Sequence, residues 1–436
     1  MDKTIVVQIT DLTQNAKGVG HTDGLTIFVP HTLPGDEVLA KVTLEKKRYI
    51  EASMLKILTS SPQRRNLVDN FATDLSHASL LNFDFHAENI WKKNLLEQSL
   101  KRLAGIEYEA KLTYGEEFHY RNKVNLRLTD KGILALSERK SNRINPINSS
   151  LIFDKNINRL VEKWNEQAVK NTVLQRLLKK LKMLIIRTNR RGDCMLVIVS
   201  SPLLSTDREE LFKSLSYLDT KVLATSEAES SQNAKFNFYR KMYYASNVKT
   251  LVEEINGLNF QISAESFLQV NNFTLDELYG KATKLFSDYE NENILDLYCG
   301  IGISSLSLAK KAKKVIGVEL VERAIKDAKQ NAKANGISNV EFYAGKVENF
   351  ISELLWKNQV NKVFLDPPRK GVEQKVLHCL IEKNVKEILY MSCNPATLAR
   401  DLKILSAAGY KLNYLELINQ FPNTTEVEAV VFMTNQ

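Results

Sequence analysis

From about residue 290 the chain alternates short apolar runs with helical stretches, and this pattern limits its fold more than any other feature. The strand-like runs are Asn293–Tyr298, Lys314–Val318, Val340–Tyr343, Lys362–Leu365 and Glu387–Met391. Between the first two lies a helical stretch, Ser304–Ala312; after the second, Val321, Ala324, Ile325, Ala328 and Ala332 form one apolar stripe at helical spacing. Strands alternating with helices imply a doubly wound, mainly parallel sheet. Such a sheet binds its ligands beyond the carboxyl ends of the strands.

The residues at those strand ends carry chemistry. Asp296-Leu297-Tyr298-Cys299-Gly300-Ile301-Gly302 passes from strand to helix, where glycine lets the backbone approach a ligand. Glu319 ends the next strand, at the place where a carboxylate can accept from ribose hydroxyls. A Gly-x-Gly also fits NAD binding or tight packing. Position 305 is Ser, so the full dinucleotide fingerprint is incomplete, which favours a nucleoside without a pyrophosphate, such as S-adenosylmethionine. Asp366-Pro367-Pro368-Arg369-Lys370-Gly371 follows the fourth strand; it is either a stiffly held carboxylate facing a planar donor or a plain turn. Ser392-Cys393-Asn394-Pro395 follows the fifth, so Cys393 is either a small buried side chain or a reactive thiol on the ligand edge.

The 436 residues exceed one typical domain. Residues 1–60 read as a small β-barrel. Thr4–Ile9, Leu25–Val29 and Glu37–Val42 are its strands, and Gly18, Gly20, Gly24 and Pro34-Gly35-Asp36 are read as turns. Residues 86–104 read as a helix, Asn158–Leu181 as an amphipathic helix, and Lys221–Gln232 as a surface loop. The net charge of +9 is unevenly spread: segment 61–255 holds 32 basic against 23 acidic residues, whereas the flanking segments balance. A polyanion would be gripped mainly there, unless the charge is only a solvated surface. The four cysteines have no paired spacing, which argues against a disulfide scaffold or zinc ribbon. No apolar run is long enough to span a bilayer, and the start lacks the pattern of a signal peptide. A cytoplasmic monomer without membrane or metal is expected.

Taken together, these segments resemble the RNA uracil-5-methyltransferase family. The matching pieces are Phe267-Leu268-Gln269-Val270-Asn271, the Asp296–Gly302 turn, Asp366–Gly371, Ser392–Asp401, and Phe421-Pro422 with Val427-Glu428. Residues 1–58, with Gly18-Val19-Gly20 and Leu33-Pro34-Gly35-Asp36, resemble the TRAM module, an RNA-binding barrel; Tyr120-Arg121-Asn122-Lys123-Val124 is similar to the family's central domain. The resemblance implies three parts: a TRAM-like barrel over 1–60, a mixed α+β basic RNA-binding domain over 61–255, and a Rossmann-like S-adenosylmethionine-dependent methyltransferase domain over 256–436. It implies Cys393 as nucleophile toward uracil C6 and Glu428 as the base that removes the C5 proton. Gln269, Asp296, Tyr298, Gly300, Gly302, Glu319 and Asp366 are expected at the methyl donor. Gln269, Phe267, Asp366, Arg121 and Lys123 are expected at the RNA. Length and the TRAM module point to 23S ribosomal RNA; a transfer RNA enzyme and an RNA-binding assembly factor without catalysis are the alternatives. An N- or O-methyltransferase would not need Cys393 and Glu428, and a DNA cytosine-5-methyltransferase commonly carries its nucleophile in a Pro-Cys pair.

The sequence departs from the family pattern in three places. Glu426 stands where a histidine is usual, and Asn419 where an aspartate is usual. The stretch 66–85, where many members carry iron–sulfur cysteines, has none; Leu75 and Ala78 fall about where two would stand. A cluster needs thiolate ligands. Anaerobically purified protein is therefore expected to contain no stoichiometric iron or acid-labile sulfide, and finding both by metal and sulfide assay would contradict this reading.

Overall fold

The computed structural model describes residues 3–22, 24–65, 77–138, 143–229, 237–286 and 288–435. The chain divides into two compact units, Met1–Asn94 with Phe421–Val427, and Leu95–Gln420 with Glu428–Gln436.

In the first unit, β1 (Thr4–Leu12), β2 (Lys17–Thr22), β3 (Leu25–Pro30), β4 (Glu37–Glu45) and β5 (Tyr49–Thr59) close a barrel in the order β1-β2-β3-β5-β4. Alternate residues point inward: Val7, Ile9, Ile27, Val29, Val38, Ala40, Ile50 and Ala52 fill its core. The expectation that Gly18 and Gly20 make turns is corrected, since both lie inside β2. Glycine is required there for space. A Cβ at Gly18 would collide with Thr32 Oγ1 and stand 2.9 Å from Ile9 Cγ2, and one at Gly20 would meet Val7 and stand 2.7 Å from the Gln8 carbonyl. Turns do form at Gly24 and Gly35, where φ is positive. Asp36, with its side chain buried, joins the barrel to the segment after β5. It accepts from the backbone N–H of Leu33 and Ser61 and pairs with Arg64, so Arg64 and these hydrogen bonds hold its carboxyl below the usual range against burial.

α1 (Phe85–Ala104) begins in this unit. Its Glu88 and Lys92 side chains are fully buried and pair at 2.7 Å. Glu88 accepts from the Asn423 N–H through both carboxylate oxygens, and Lys92 donates to the Phe421 carbonyl at 2.9 Å. Two buried charges thus bind the backbone of 421–427. Removing one alone would leave the other uncompensated, at a cost of about 3–5 kcal/mol. Ala78 is fully buried; Leu75 lies outside the described residues.

The second unit contains two large sheets. β6 (Lys111–Tyr114) is followed by β7 (Lys123–Leu128), β8 (Leu134–Ser137) and β9 (Ile144–Pro146), then by α2 (Lys155–Ala168) and α3 (Thr172–Leu177). The single helix expected over Asn158–Leu181 is therefore corrected to two. α2 stops near Val169, and Asn171 caps the second helix by accepting from the Leu174 N–H. After β10 (Leu181–Thr188), β11 (Cys194–Ser200) and α4 (Ser205–Ser214) comes β12 (Val222–Glu229), which corrects the loop expected at Lys221–Gln232. Val222, Leu223, Ala224, Thr225 and Ser226 are buried against β11, so pairing overrides a polar composition; residues 230–232 lie outside the described set. With β13 (Asn237–Tyr244), the sheet order is β13-β12-β11-β10-β7-β8-β9.

A hairpin, β14 (Leu251–Ile255) and β15 (Leu258–Ile262), leads to α5 (Leu275–Leu285) and then to the expected alternation. Its elements are β16 (Asn293–Leu297), α6 (Ile303–Ala309), β17 (Lys314–Glu319), α7 (Glu322–Ala334), β18 (Val340–Ala344), α8 (Val347–Asn358), β19 (Lys362–Leu365), α9 (Gln374–Glu382), β20 (Glu387–Ser392) and α10 (Pro395–Ala407). The last strands are β21 (Lys411–Asn419) and β22 (Ala429–Thr434). The sheet order is β18-β17-β16-β19-β20-β22-β21-β6. Strands β16 to β20 are parallel, β22 is antiparallel to both neighbours, and the order reverses direction between β16 and β19. β6 comes from the segment expected to form the central domain, yet it pairs parallel with β21.

The close packing around Gly18 is testable. Thr32, which a Cβ at Gly18 would strike, is buried and bonded to the Val29 carbonyl, so it cannot step aside. Gly18→Ala is expected to destabilise the barrel by about 1–3 kcal/mol, read as faster amide hydrogen exchange in β1–β3. Unchanged protection there would contradict the steric role of this glycine.

Candidate active site

The carboxyl ends of the parallel strands form one edge of the eight-stranded sheet, and the expected strand-end residues gather along it. The turn after β16 is made by positive φ at Tyr298 (68°), Gly300 (53°) and Gly302 (85°). Gly302 caps α6, and a Cβ there would press within 3.2 Å of Ala328 and Phe342. Asp296 is fully buried. Its Oδ2 accepts from Ser304 (2.6 Å) and Ser305 (2.5 Å), while Oδ1 has no hydrogen-bond partner among the described residues. Burial, with the charge of Glu319, pushes its carboxyl up to about 6. The hydroxyl of Tyr298 is likewise buried without a partner among the described residues. Glu319 ends β17, where its carboxylate accepts from the N–H of Gly300 (3.3 Å) and of Val321 (2.8 Å). It is thereby aimed across the turn.

Asp366 follows β19, with its N–H bonded to the Leu297 carbonyl. Burial, then the charges of Asp296 and Glu319, push it up to about 7. The loop that carries it is pinned from α10. Asp401 accepts from the Val372 N–H (2.9 Å) and the Tyr390 hydroxyl (2.8 Å), and Arg400 donates to the carbonyls of Lys370 and Val372. Gly371, at φ 76°, permits this contact, since a Cβ there would stand 2.6 Å from Arg400 and 2.7 Å from Asp401. The Arg369 carbonyl accepts from Asn394 (2.9 Å) and Thr397, tying the same loop to the residues beside Cys393.

Cys393 and Glu428 are brought together by strand register. β20 and β22 pair antiparallel with Ser392 opposite Ala429; continuing that register one residue past both strands sets Cys393 beside Glu428, whose charge acts on the thiol. Glu428 is 1% exposed and its Oε2 has no partner among the described residues. Burial, then Asp366, raises its carboxyl well above the usual range, and Arg369 opposes them. Cys393 is half-buried. Burial, then Glu428, pushes its thiol up to about 12, against which Arg369 acts.

Gln269 belongs to segment 266–272, which is held by several bonds. Arg187 donates to the Ser266 carbonyl, Asn122 to those of Val270 and Gln269, and Asn271 to that of Gln420. Ser263 and Ser266 both donate to Asp327 on α7. Phe267 is 67% exposed, which suits an aromatic that stacks on a base. Arg121 bridges Asn271, and its Nε donates to the Lys123 carbonyl. Lys123 stands opposite Arg187 across β7 and β10, and burial, then Arg187, brings its ammonium down to about 7. The structure therefore gathers Asp296, Tyr298, Gly300, Gly302, Glu319, Asp366, Cys393 and Glu428 on one edge. It links the segment bearing Arg121 and Lys123 to that edge through segment 266–272. The sequence reading missed the supports: Ser304, Ser305, Arg369, Asn271, Gln420 and Asp401. Only Arg369, Asn271 and Asp401 lie inside motifs that the residue types make conspicuous.

A doubly wound sheet with an acidic strand-end turn at its ligand edge is of the Rossmann-like class. Comparison with known proteins makes the assignment specific. The tRNA (Uracil-5-)-methyltransferase family matches residues 85–436, and the TRAM domain matches residues 3–55. The chain belongs to this family and is an RNA uracil-C5 methyltransferase carrying an N-terminal TRAM domain. An uncharacterized RNA methyltransferase of Listeria monocytogenes serotype 4b is 33% identical, over 99% of this chain and 98% of its own. One of Fusobacterium nucleatum is 31% identical, over 98% and 94%. The crystal structure of Pyrococcus abyssi tRNA (uracil-54, C5)-methyltransferase in complex with S-adenosyl-L-homocysteine shares the fold, with a TM-score of 0.77, 24% identity, and coverage of 99% of this chain and 100% of that one. Among the described residues, no helix is long and apolar enough to cross a membrane, and no three His, Cys, Asp or Glu side chains come together as a metal site would need.

The opposing influences on Cys393 give a prediction. Arg369 lowers the thiol while the surrounding carboxylates raise it. Arg369→Gln removes the favourable charge, so less thiolate exists at any given pH. Site-resolved mass spectrometry should show Cys393 alkylated by iodoacetamide several-fold more slowly than in the unmutated chain, and an unchanged or faster rate would contradict the assignment.

Proposed function

We propose that this chain methylates C5 of a uridine in 23S ribosomal RNA, using S-adenosyl-L-methionine and a covalent bond between Cys393 and C6 of the base. The observation that supports the reading is a half-buried thiol just past the Ser392–Ala429 pair, acted on by the charge of a buried carboxylate whose Oε2 is unpartnered among the described residues. The residues expected at the methyl donor fit a cationic nucleoside. Glu319 faces the turn as a ribose acceptor would, and the unpartnered Asp296 Oδ1 and Tyr298 hydroxyl offer further polar contacts. Asp296, Glu319 and Asp366 are close enough that Glu319 raises both aspartates and Asp296 raises Asp366, so the edge suits a sulfonium's positive charge. Bound there, S-adenosyl-L-methionine supplies the methyl group.

The chain's own groups divide the remaining work. The Cys393 thiol gives up its proton to solvent, the thiolate adds to C6, and the ring electrons move onto C5 and the O4 enolate. C5 then takes up the methyl group and still holds its proton. The Glu428 carboxylate removes that proton, the C5–C6 double bond re-forms, and the thiolate leaves. Asp366, pushed up to about 7, can carry a proton at neutral pH and donate a hydrogen bond to the base edge. Gln269 meets the same edge. The base must leave its stack, which costs on the order of a few kcal/mol. Phe267, the basic segment 61–255 and the barrel offset this through stacking, phosphate and shape contacts.

A second reading, transfer RNA, has a specific support. The Pyrococcus abyssi protein, named for a transfer RNA substrate, matches this chain over its full length, so length does not separate the two substrates. Mapping 5-methyluridine in ribosomal and transfer RNA from cells lacking the gene decides between them. For the mechanism, Cys393→Ala should form no adduct. Glu428→Gln should accumulate a protein–RNA adduct that survives denaturing electrophoresis and carries label from the methyl donor. Glu426→Gln should turn over without stalling. Methylation by Cys393→Ala, or trapping by Glu426→Gln in place of Glu428→Gln, would overturn these roles.

A further inference from the structure

We propose that Gln420 contacts the target base and reads its hydrogen-bonding edge, an inference that rests on the uracil-C5 reading above. Gln420 is the residue after β21, which runs parallel to β20 and so ends on the ligand edge. It is 0% exposed, and neither Nε2 nor Oε1 of its side chain has a hydrogen-bond partner among the described residues. Its backbone, in contrast, is fully engaged: its N–H donates to the Ile418 carbonyl at 2.8 Å, and its carbonyl accepts from Asn271 Nδ2 at 3.2 Å. The main chain is fixed while the carboxamide is left unsatisfied. Burying such a group without partners is costly, and native proteins keep few of them.

Two connections locate the main chain that bears this amide. Ile418, two residues earlier, donates its N–H to the carbonyl of Glu428. Asn271, which holds the Gln420 carbonyl, lies two residues after Gln269. Gln420 thus stands between the segment bearing the base Glu428 and the segment bearing Gln269. Of the other unpartnered buried atoms on this edge, Asp296 Oδ1 and the Tyr298 hydroxyl sit by β16, on the methyl-donor side, whereas Glu428 Oε2 lies on the same side as Gln420. A carboxamide presents one donor and one acceptor side by side. The uracil edge presents the complementary pair, the N3–H and a flanking carbonyl oxygen, so both unsatisfied atoms can be paired at once.

The test uses the full chain, RNA purified from cells lacking the gene, and S-adenosyl-L-methionine labelled in its methyl group. In Gln420→Met and Gln420→Leu, which keep the volume, kcat/KM for transfer to uridine C5 should fall about 10- to 100-fold. Affinity for the RNA by filter binding should change less than about twofold, since phosphate contacts dominate it. The Tm should stay the same or rise, because an unpaired buried amide has been replaced by an apolar group. Activity kept in Gln420→Met beside an active unmutated chain overturns this inference alone. A Tm that falls in step with activity also overturns it, by assigning the amide to packing. An unmutated chain that transfers no methyl group to uridine C5 overturns the uracil-C5 reading, and this inference with it.

Discussion

The antiparallel insertion of β22 between β20 and β21 is the constraint on which the site depends. In a purely parallel sheet each strand delivers only its carboxyl end to the ligand edge. Because β22 runs the other way, it delivers its amino end there, and Glu428 precedes its first residue. Glu428 and Cys393, 35 positions apart in sequence, thereby become register neighbours. A one-residue slip would turn every side chain of β22 to the opposite face. Ala429, Val430, Val431 and Met433 are all buried, so such a slip would disrupt packing on both faces. The hydrophobic register of one strand therefore fixes where Glu428 stands relative to Cys393, the proposed base and nucleophile.

The same edge concentrates negative charge where burial makes it expensive. Asp296, Asp366 and Glu428 are each raised, chiefly by desolvation and then by one another or by Glu319. Most buried carboxylates answer this cost by pairing, as Asp36 does with Arg64 and Glu387 with Lys362. Here a cation, Arg369, opposes it at Glu428 and acts on Cys393 as well. The arrangement stores unfavourable charge that a positively charged ligand would relieve, a pattern more typical of a functional site than of a structural one.

Much of this was legible in the sequence because local signals and tertiary structure agree. The strand–turn–helix at Asp296–Gly302, the acidic end of β17 and the motifs after β19 and β20 announced themselves by residue type and spacing. Failures occurred where packing decided. Gly18 and Gly20 look like turn residues, yet they serve an interior with no room for Cβ. The polar composition of 221–232 hid a strand buried against β11. Gln420 carried no signal at all: a glutamine beside a proline-containing loop is unremarkable until its burial and missing partners are known.

The contrast between Glu426 and Glu428 shows how two like residues, two positions apart, take on different work. Glu426 raises the ammonium of Lys92, a group that burial pushes down and that Glu88 also supports. A negative charge at 426 therefore helps keep Lys92 protonated, and protonated Lys92 holds the Phe421 carbonyl. Glu428 feels Arg369 as an opposing charge, but burial and Asp366 outweigh it. Its Oε2 is unpartnered among the described residues, its carboxyl is raised, and its register neighbour is a thiol. The charge at 426 thus serves the buried ion pair of α1. A desolvated carboxylate such as Glu428 gains by accepting a proton, as the proposed C5 step requires.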